Sequence, residues 1–465
     1  MDAHPPKEGA RCSGCAERDR EIAQLRRRNA DLQKRLDRLE QKARQLQRAG
    51  KRQAAPFAKG SPKTSPKKPG RKPGDAYGKK AYRAAPPPEQ IDQTYDAPLP
   101  DRCPDCGGQV HETHIDEQYQ VELPLRPIHR QFRVHVGQCC GCLKRVQGRH
   151  ELQTSDALGA AANQLGPNAQ AAAVYLNKHA GLSHGKVAAV LQKLFGVTIS
   201  RGGVCQAMQR ASRRCEGEYQ NLIERVNQSR QVAADETGWR ICGLSAWLHA
   251  MVGDDATVYG IDRRRGFEAS RKLLRPDFAG VLVHDGWRPY ERFTFATHQT
   301  CLDHLLRRCH DLLKIATRGA VVFPRQIKAI LKQIVATRQK WQAAQITAKT
   351  ARARAHALER EMAQRVGPIK THAANERLAA HLRRVHDQLT VCLRQPNVDA
   401  TNHRAERAIR PGVANRKVWG GNRTERGAHA QSILMSILTT CRQQGRDEVV
   451  WMSNHLRGNV QPLAP

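Results

Sequence analysis

The stretch whose reading decides the fold is QVAADETGWRI, residues 231–241. A short run of small apolar residues, Val232 to Ala234, has the character of a buried strand and stops at two adjacent carboxylates, Asp235 and Glu236. A carboxylate at the end of a buried strand is costly to desolvate unless something compensates it. Side chains alternate across a strand, so the two acids face opposite ways. Asp235 is the acid matched by a second one downstream, which makes it the candidate metal ligand. Glu236 is left to support the strand end or to face solvent.

Working outward, SAWLHAMVG and TVYGIDR follow with short polar joins, so three successive strands form a meander. GFEASRKLL has a helical pattern, GVLVHDGW is a second apolar strand ending in Asp285, and FATHQTC is a further short strand. This order predicts an α/β layer with a mixed sheet. If the two acid-bearing strands are neighbours, Asp235 and Asp285 lie side by side. Packed carboxylates repel, and one must protonate unless a cation sits between them. Hard oxygen ligands suit magnesium, and a pair of such ions activates a nucleophile and stabilises the leaving oxygen in phosphoryl transfer. The third acid is Glu406, in NVDATNHRAERAIRPGVANRKVWGGNRTERGA, with Asn402 four residues earlier on the same helical face. Arg407, Arg410, Arg416, Lys417 and Arg423 surround it. The plainer reading makes each acid a loop or cap residue, with Glu406 an incidental ion-pairing group on a basic helix. Two acids at matching strand ends favour the site. His284 reads as a satisfied strand-end histidine. Trp239 and Trp287, which follow the two aspartates, read as core packing.

The chain has 465 residues, a formal net charge of +35, 39% hydrophobic and 26% charged residues. Such an excess of positive charge points to a polyanion, most simply nucleic acid. No run approaches the ~18 apolar residues of a spanning helix, and the first ten residues, MDAHPPKEGA, lack an apolar signal region. The expectation is a cytoplasmic, nucleoid-associated protein without membrane contact. Its fourteen cysteines are then reduced, and metal or core roles come before disulfides.

Four further segments are legible. Ile22, Leu25, Asn29, Leu32, Leu36, Leu39, Ala43 and Leu46 keep a heptad seam with one polar break, as in a self-associating coiled coil; a lone amphipathic helix is the alternative. Residues 51–90 carry eleven Lys or Arg against two acids and few apolar groups, so they read as a disordered basic linker. Its KPGRKPG core suits either a minor-groove arm or loose phosphate contact. Cys103 and Cys106 in CPDCGG, with Cys139 and Cys142 in CCGCLK, have the spacing of a four-cysteine zinc ribbon; Cys103, Cys106, His111 and His114 form a competing set. Cys12 and Cys15 have no evident partner. The segment 182–212 has two helical patterns around GVTIS, with Ser200 as N-cap of the second. A helix-turn-helix would turn Arg201, Gln206 and Arg210 toward DNA; a structural helical hairpin is the alternative.

ADETGWR, LVHDGWRPY and NHRAERAIRP, followed by NRKVWGGNRTERGA, closely resemble the transposases of the insertion sequence 66 family. These are DDE enzymes with a ribonuclease-H-like core, and the resemblance covers nearly the whole chain. It implies Asp235, Asp285 and Glu406 as a triad holding two magnesium (or manganese) ions, beside a structural zinc. It implies cleavage at element ends and strand transfer, for which no covalent intermediate is needed. Asn402, Arg407, Arg410, Arg416 and Lys417, in the basic segment around Glu406, are the candidate DNA contacts. It also implies a helical insertion before Glu406, met by the helical run from roughly 303 to 392. CLDH, Cys301 to His304, resembles the CxxH of several transposase groups and reads as structural. The chain departs from the family pattern at His403, where a second Asn is usual. The expected architecture is multidomain α+β: a coiled coil over 16–49, a linker over 50–95, a zinc module over 96–150 and a helical DNA-binding region over 151–229. The catalytic core follows over 230–300 and 395–445, split by the insertion over 301–394, and 446–465 is a tail. The implied partners are DNA, a second copy through the coiled coil, and accessory proteins of the same element. A catalytically silent, transposase-derived DNA-binding or regulatory protein is the alternative function.

Overall fold

The computed structural model describes residues 21–33, 35–37, 39–40, 86–94, 98, 100–102, 105–109, 127–148, 150, 152–153, 165–459 and 462–463. The chain divides into two compact units, Met1–Gln120 and Val121–Pro465. In the first, the described residues between 21 and 40 are helical, and Ile22, Leu25, Leu32, Leu36 and Leu39 of the heptad seam are exposed. Cys12, Cys15, Cys103, His111, His114 and nearly all of the basic linker lie outside the described residues. Among the described residues, no helix is long and apolar enough to cross a membrane.

The second unit holds a mixed α and β arrangement. A small hairpin, β1 (Val136–Gln138) with β2 (Arg145–Gln147), is antiparallel. Four helices follow: α1 (Pro167–Lys178), α2 (His184–Phe195), α3 (Arg201–Arg214) and α4 (Glu216–Asn227). The α2–α3 corner forms where the sequence places it. Ser183 Oγ accepts from Lys186 N, Gly196 closes α2 in the left-handed region, and Ser200 Oγ accepts from Gly203 N at the start of α3. These caps satisfy helix-end groups that have no partner within the helix.

The five-stranded sheet is built from β3 (Gln231–Ile241), β4 (Leu244–Val252), β5 (Thr257–Asp262), β6 (Val281–His284) and β7 (Thr297–Thr300), in the order β5-β4-β3-β6-β7. The meander β3-β4-β5 is antiparallel, and β6 and β7 add in parallel. The apolar runs are continuous rather than alternating because the centre of the sheet is covered on both faces. Val232, Ala234 and Leu282 enter one core with α1–α4, while Ala233, Val281 and Val283 enter another with the later helices. Only a short helix, α5 (Phe267–Ser270), forms in GFEASRKLL.

Between β7 and Glu406 lies a helical layer: α6 (Leu302–Ile315), α7 (Val322–Gln342), α8 (Ala348–Val366), α9 (Ala373–Arg384) and the short α10 (Val391–Arg394). Its core includes Ile327, Leu331, Leu358 and Leu382. The chain returns to the sheet through α11 (His403–Trp419) and α12 (Glu425–Gln443). Helix α11 passes so close to β4 that a Cβ on Gly412 would meet Leu248 Cδ2 at 2.4 Å.

Helix α12 covers the edge strand β5 in a specific way. Ser432, Ser436 and Thr440, four residues apart, accept from the backbone N–H groups of Ile261 (3.1 Å), Tyr259 (2.8 Å) and Thr257 (3.0 Å). An open edge presents unpaired donors to any passing strand; here a column of hydroxyls at helical spacing satisfies them. The carboxy-terminal segment, expected as a tail, carries α13 (Glu448–Arg457), whose Trp451, Met452 and Leu456 are buried in the same core as α1–α4. Asp447 caps it by accepting from Val449 N and Val450 N.

Candidate active site

Strand β3 does not end at Asp235. It runs six residues further, to Ile241, paired with β4 throughout. What ends is its parallel neighbour. The last β3–β6 pair is Ala233 with Val283; Asp235 lies two residues beyond it within β3, and Asp285 two residues beyond it, just past the end of β6. Asp235 therefore stands beside the open carboxyl end of β6, where Asp285 follows His284. The equal offset from a shared register places the two acids at one sheet end. Gly286 turns the chain there with φ +86°, and a Cβ on it would meet His381 and Thr300 at 3.1–3.2 Å. Asp285 Oδ1 accepts from Trp287 N at 2.8 Å, and Asp235 Oδ1 accepts from Glu236 N at 2.9 Å. Among the described residues neither aspartate has an ion-pair partner. Burial, followed by repulsion from Glu236, Asp285 and Glu406, pushes the Asp235 carboxyl up to about 7.

The third acid is brought in by a clip between distant segments. Asn402, at the start of α11, is fully buried, and its Nδ2 donates to Ala234 O at 2.8 Å, directly before Asp235. Its backbone N donates to Cys301 Sγ at 3.1 Å. Cys301 N in turn donates to His284 O at 2.7 Å, and Leu302 N donates to Ala400 O at 3.0 Å. One cysteine and one asparagine thus bind the ends of β3, β6 and β7 to the first turn of α11. Asn402, expected among the DNA contacts, is corrected to a positioning residue, because a side chain wholly inside the protein cannot reach a phosphate. The CLDH motif is structural, as expected. Its His304 Nε2 lies 3.6 Å from Glu406 Oε1, and Arg307 lies 3.8 Å from the same oxygen. Glu406 is therefore turned toward α6, and among the described residues no three His, Cys, Asp or Glu side chains converge as a ready metal site.

Glu236 does not face solvent. Its side chain is 2% exposed and pairs with Arg265 at 2.8 Å. Tyr290 Oη donates to its other oxygen at 2.6 Å. The Arg265 guanidinium sits 4.6 Å from the Trp247 ring centroid and 4.2 Å from that of Trp287. Burial raises the Glu236 carboxyl, and the bonds from Tyr290 and Arg265 pull it back. This is the partner that a buried strand carboxylate requires, and it frees Asp235 for another role. His284 is satisfied as well. Gly286 N donates to its Nδ1 at 3.0 Å, so its Nε2 donates to His298 Nδ1 at 3.0 Å, and His298 Nε2 donates to Phe293 O at 3.0 Å. Trp239 is buried, with Nε1 donating to Asn422 Oδ1 at 2.8 Å.

The family model described as "Transposase IS66 family" matches residues 163–430. The chain belongs to the IS66 family of transposases. An "Uncharacterized protein y4qI" of Sinorhizobium fredii (strain NBRC 101917 / NGR234) is 23% identical over 300 residues, 56% of this chain and 53% of that protein. The chain thus spans about half the length of the curated relative it matches.

In this IS66 chain the basic candidates separate by exposure. Arg201, Gln206 and Arg210 are exposed along α3, and Arg407, Arg410 and Lys417 along α11. Arg416 is half-buried and donates to Gly238 O. Cys106 is exposed. Cys139 and Cys142 lie in the turn between β1 and β2, where Cys139 N donates to Lys144 O and Leu143 N to Cys139 O, both at 2.9 Å. Backbone donors from Cys142 and Gly141 lower the Cys139 thiol. Sequence reasoning missed four residues at the sheet end: Arg265, Tyr290, His381 and Arg384. Arg384 donates to Gly286 O at 3.1 Å and to His381 Nδ1 at 2.9 Å. The RRR run at 263–265 was the only signal for Arg265; His381 and Arg384 sit in an ordinary basic helix and carried none.

Proposed function

We propose that this chain is a DDE-type DNA transposase, cleaving the ends of a mobile element and joining them to target DNA on a ribonuclease-H-like core. The observation that carries the reading is the pair Asp235 and Asp285, equally placed beyond the last parallel pair of β3 and β6 and without an ion-pair partner among the described residues. Burial first, and then repulsion from Glu236, Asp285 and Glu406, push Asp235 up to about 7, as a desolvated carboxylate beside like charges behaves. Their oxygens suit magnesium or manganese. Asp235, Asp285 and Glu406 are the residues that would hold two such ions. When bound, the ions supply charge neutralisation and an acidified water for phosphodiester attack.

The protein's own residues do the rest. The Asn402–Ala234 and Cys301–His284 bonds fix the two strand ends against α11, so that Glu406 has a short path to the aspartates. Leaving His304 and Arg307 would turn its carboxylate toward them. Arg407, Arg410 and Lys417 lie on the exposed face of the same helix and would hold the DNA backbone by charge. Arg201, Gln206 and Arg210 on α3 would engage the element ends. Zinc on the CxxC pairs, pairing of copies through the heptad helix and accessory proteins of the element belong to the same proposal. The ion pair of Glu406 with Arg307 favours one second reading, a catalytically silent DNA-binding protein in which the triad never assembles.

The test is magnesium-dependent strand cleavage of DNA carrying the element ends, comparing wild type with Asp285→Asn. The proposal expects cutting and joined products from the wild type and neither from the variant. Equal cutting by both refutes the assignment, and specific binding without any cutting supports the silent reading.

A further inference from the structure

A large cavity of the second unit lies away from the acids, at the other end of α11. It measures about 840 Å³ and is walled by α1, the first turns of α2 and α3, and the Trp419–Ala430 segment. Five cations line it: Lys178, Lys186, Arg201, Arg423 and Arg426, with His184 beside them. Among the described residues no Asp or Glu lines it. Three helices start at its wall, α2 at His184, α3 at Arg201 and α12 at Glu425. Helix starts direct unpaired N–H groups and positive dipole ends outward. All this charge converges without a protein anion to meet it.

Buried groups inside the wall point the same way. Lys178 is 4% exposed and has no carboxylate partner among the described residues; its Nζ donates to Gln431 Oε1 at 2.6 Å. Its Nζ also lies 5.9 Å from the Trp419 ring centroid, and a buried ammonium held by an amide oxygen and a ring face, with no carboxylate, is costly. Burial lowers it to about 7, and His184 is lowered to about 4, first by burial and then by Lys178. Trp419 Nε1 and Gln431 Nε2 are buried donors without a partner, and Asn177 Oδ1 is a buried acceptor without one. The Arg201 side chain passes close over Gly185, where an added Cβ would meet its Nε at 3.0 Å. A cavity of this size is that of a small-ligand pocket, suited to one or two nucleotides and too small for a duplex.

We infer that this cavity binds an unpaired stretch of a DNA strand, with phosphates on Lys178, Arg201, Arg423 and Arg426 and a base against Trp419. Aromatic walls in a basic groove are the usual means of holding single strands, and Asn177 Oδ1 suits a base amino group. Trp419 lies thirteen residues along α11 from Glu406, about 20 Å at 1.5 Å per residue. A strand held here is therefore anchored on the same helix that carries the third acid. The inference goes beyond the cleavage reading and does not depend on it.

The test uses the full chain without divalent metal, so that cleavage plays no part. Anisotropy of a labelled ten-nucleotide single strand and of the matching duplex is followed against salt, for wild type, Lys178→Met, Trp419→Leu and the double variant Arg423→Ala/Arg426→Ala. Each lost phosphate contact removes about 0.7 from the single-strand slope of log K against log salt. The double variant is expected to lower that slope by about 1.4 and to weaken single-strand binding at least about tenfold, with duplex binding nearly unchanged. Arg423 and Arg426 are exposed, so this variant keeps the test valid if Lys178→Met unfolds. Unchanged single-strand binding in the double variant, or equal loss on duplex, overturns the inference. Displacement of the strand by millimolar inorganic phosphate alone also overturns it, in favour of a free-anion site.

Discussion

Replacing Asp235 by Asn removes a charge that the fold does not compensate, so it should stabilise the protein while abolishing its chemistry. In the folded chain the carboxyl titrates near 7, against 3.8 for an unperturbed aspartate. A carboxyl raised in the folded state is ionised more easily when unfolded. Between those two values the folded form holds a proton that the unfolded form has released, so stability falls as pH rises. Below about pH 4 both forms are neutral and Asn has no advantage. The advantage grows from pH 4 to 7 and levels off above 7. The full shift corresponds to about 4 kcal/mol at roughly 1.4 kcal/mol per tenfold. Asp235 is only half-buried and keeps part of its hydration, so about 2 kcal/mol is the working figure. That is roughly 3 °C in the thermal midpoint of a unit as long as Val121–Pro465, at about 2.1 cal/mol/K per residue. The assay is thermal unfolding of wild type and Asp235→Asn, without metal, at pH 4, 6 and 8. Repeating it with magnesium should narrow the gap at pH 8, because a cation bound only by the folded wild type stabilises it by mass action. A variant that is equal or less stable at pH 8, or a gap that does not grow with pH, refutes the claim that Asp235 is an uncompensated ligand.

Other perturbations separate positioning from contact. Asn402→Ala leaves Ala234 O without its donor and should cost about 1–3 kcal/mol in denaturant unfolding; cleavage should fall while affinity for duplex DNA stays constant, whereas a weakened affinity would restore Asn402 as a DNA contact. Ser436→Ala orphans the edge-strand donor of Tyr259 and should cost about 1–3 kcal/mol, with faster amide exchange at Tyr259 as the local readout. Glu236→Ala leaves the buried Tyr290 hydroxyl and the partly exposed Arg265 without their acceptor and should destabilise by about 1–3 kcal/mol; a neutral effect would mean that the pair is not structural. His284 is held well below the ordinary histidine range by burial and by His298. A depressed histidine contributes stability that is present above its unfolded value and lost as pH falls, so wild type should lose stability on acidification more steeply than His298→Gln.

Most of the elements, and the two aspartates as candidates, follow from the sequence alone. Continuous apolar runs fix QVAA and VLVH as strands buried on both faces. Local chemistry fixes the α2–α3 corner through Ser183, Gly196 and Ser200, because caps are satisfied within a few residues of themselves. The matched positions of Asp235 and Asp285 in two such runs were legible for the same reason. What only the tertiary structure decided is how the acids are neutralised and presented. That Glu236 meets Arg265 and Tyr290, that Asn402 turns inward to Ala234, and that Cys301 joins β6 to α11 are pairings across 29 to 168 residues of chain. No periodicity encodes them, since hydrogen bonding between remote segments depends on where the sheet ends rather than on neighbours in sequence. The end of β3 itself was misplaced on sequence alone: Asp235 interrupts the apolar run, but it is the loss of the neighbouring strand, not the end of its own, that opens the sheet at the acids.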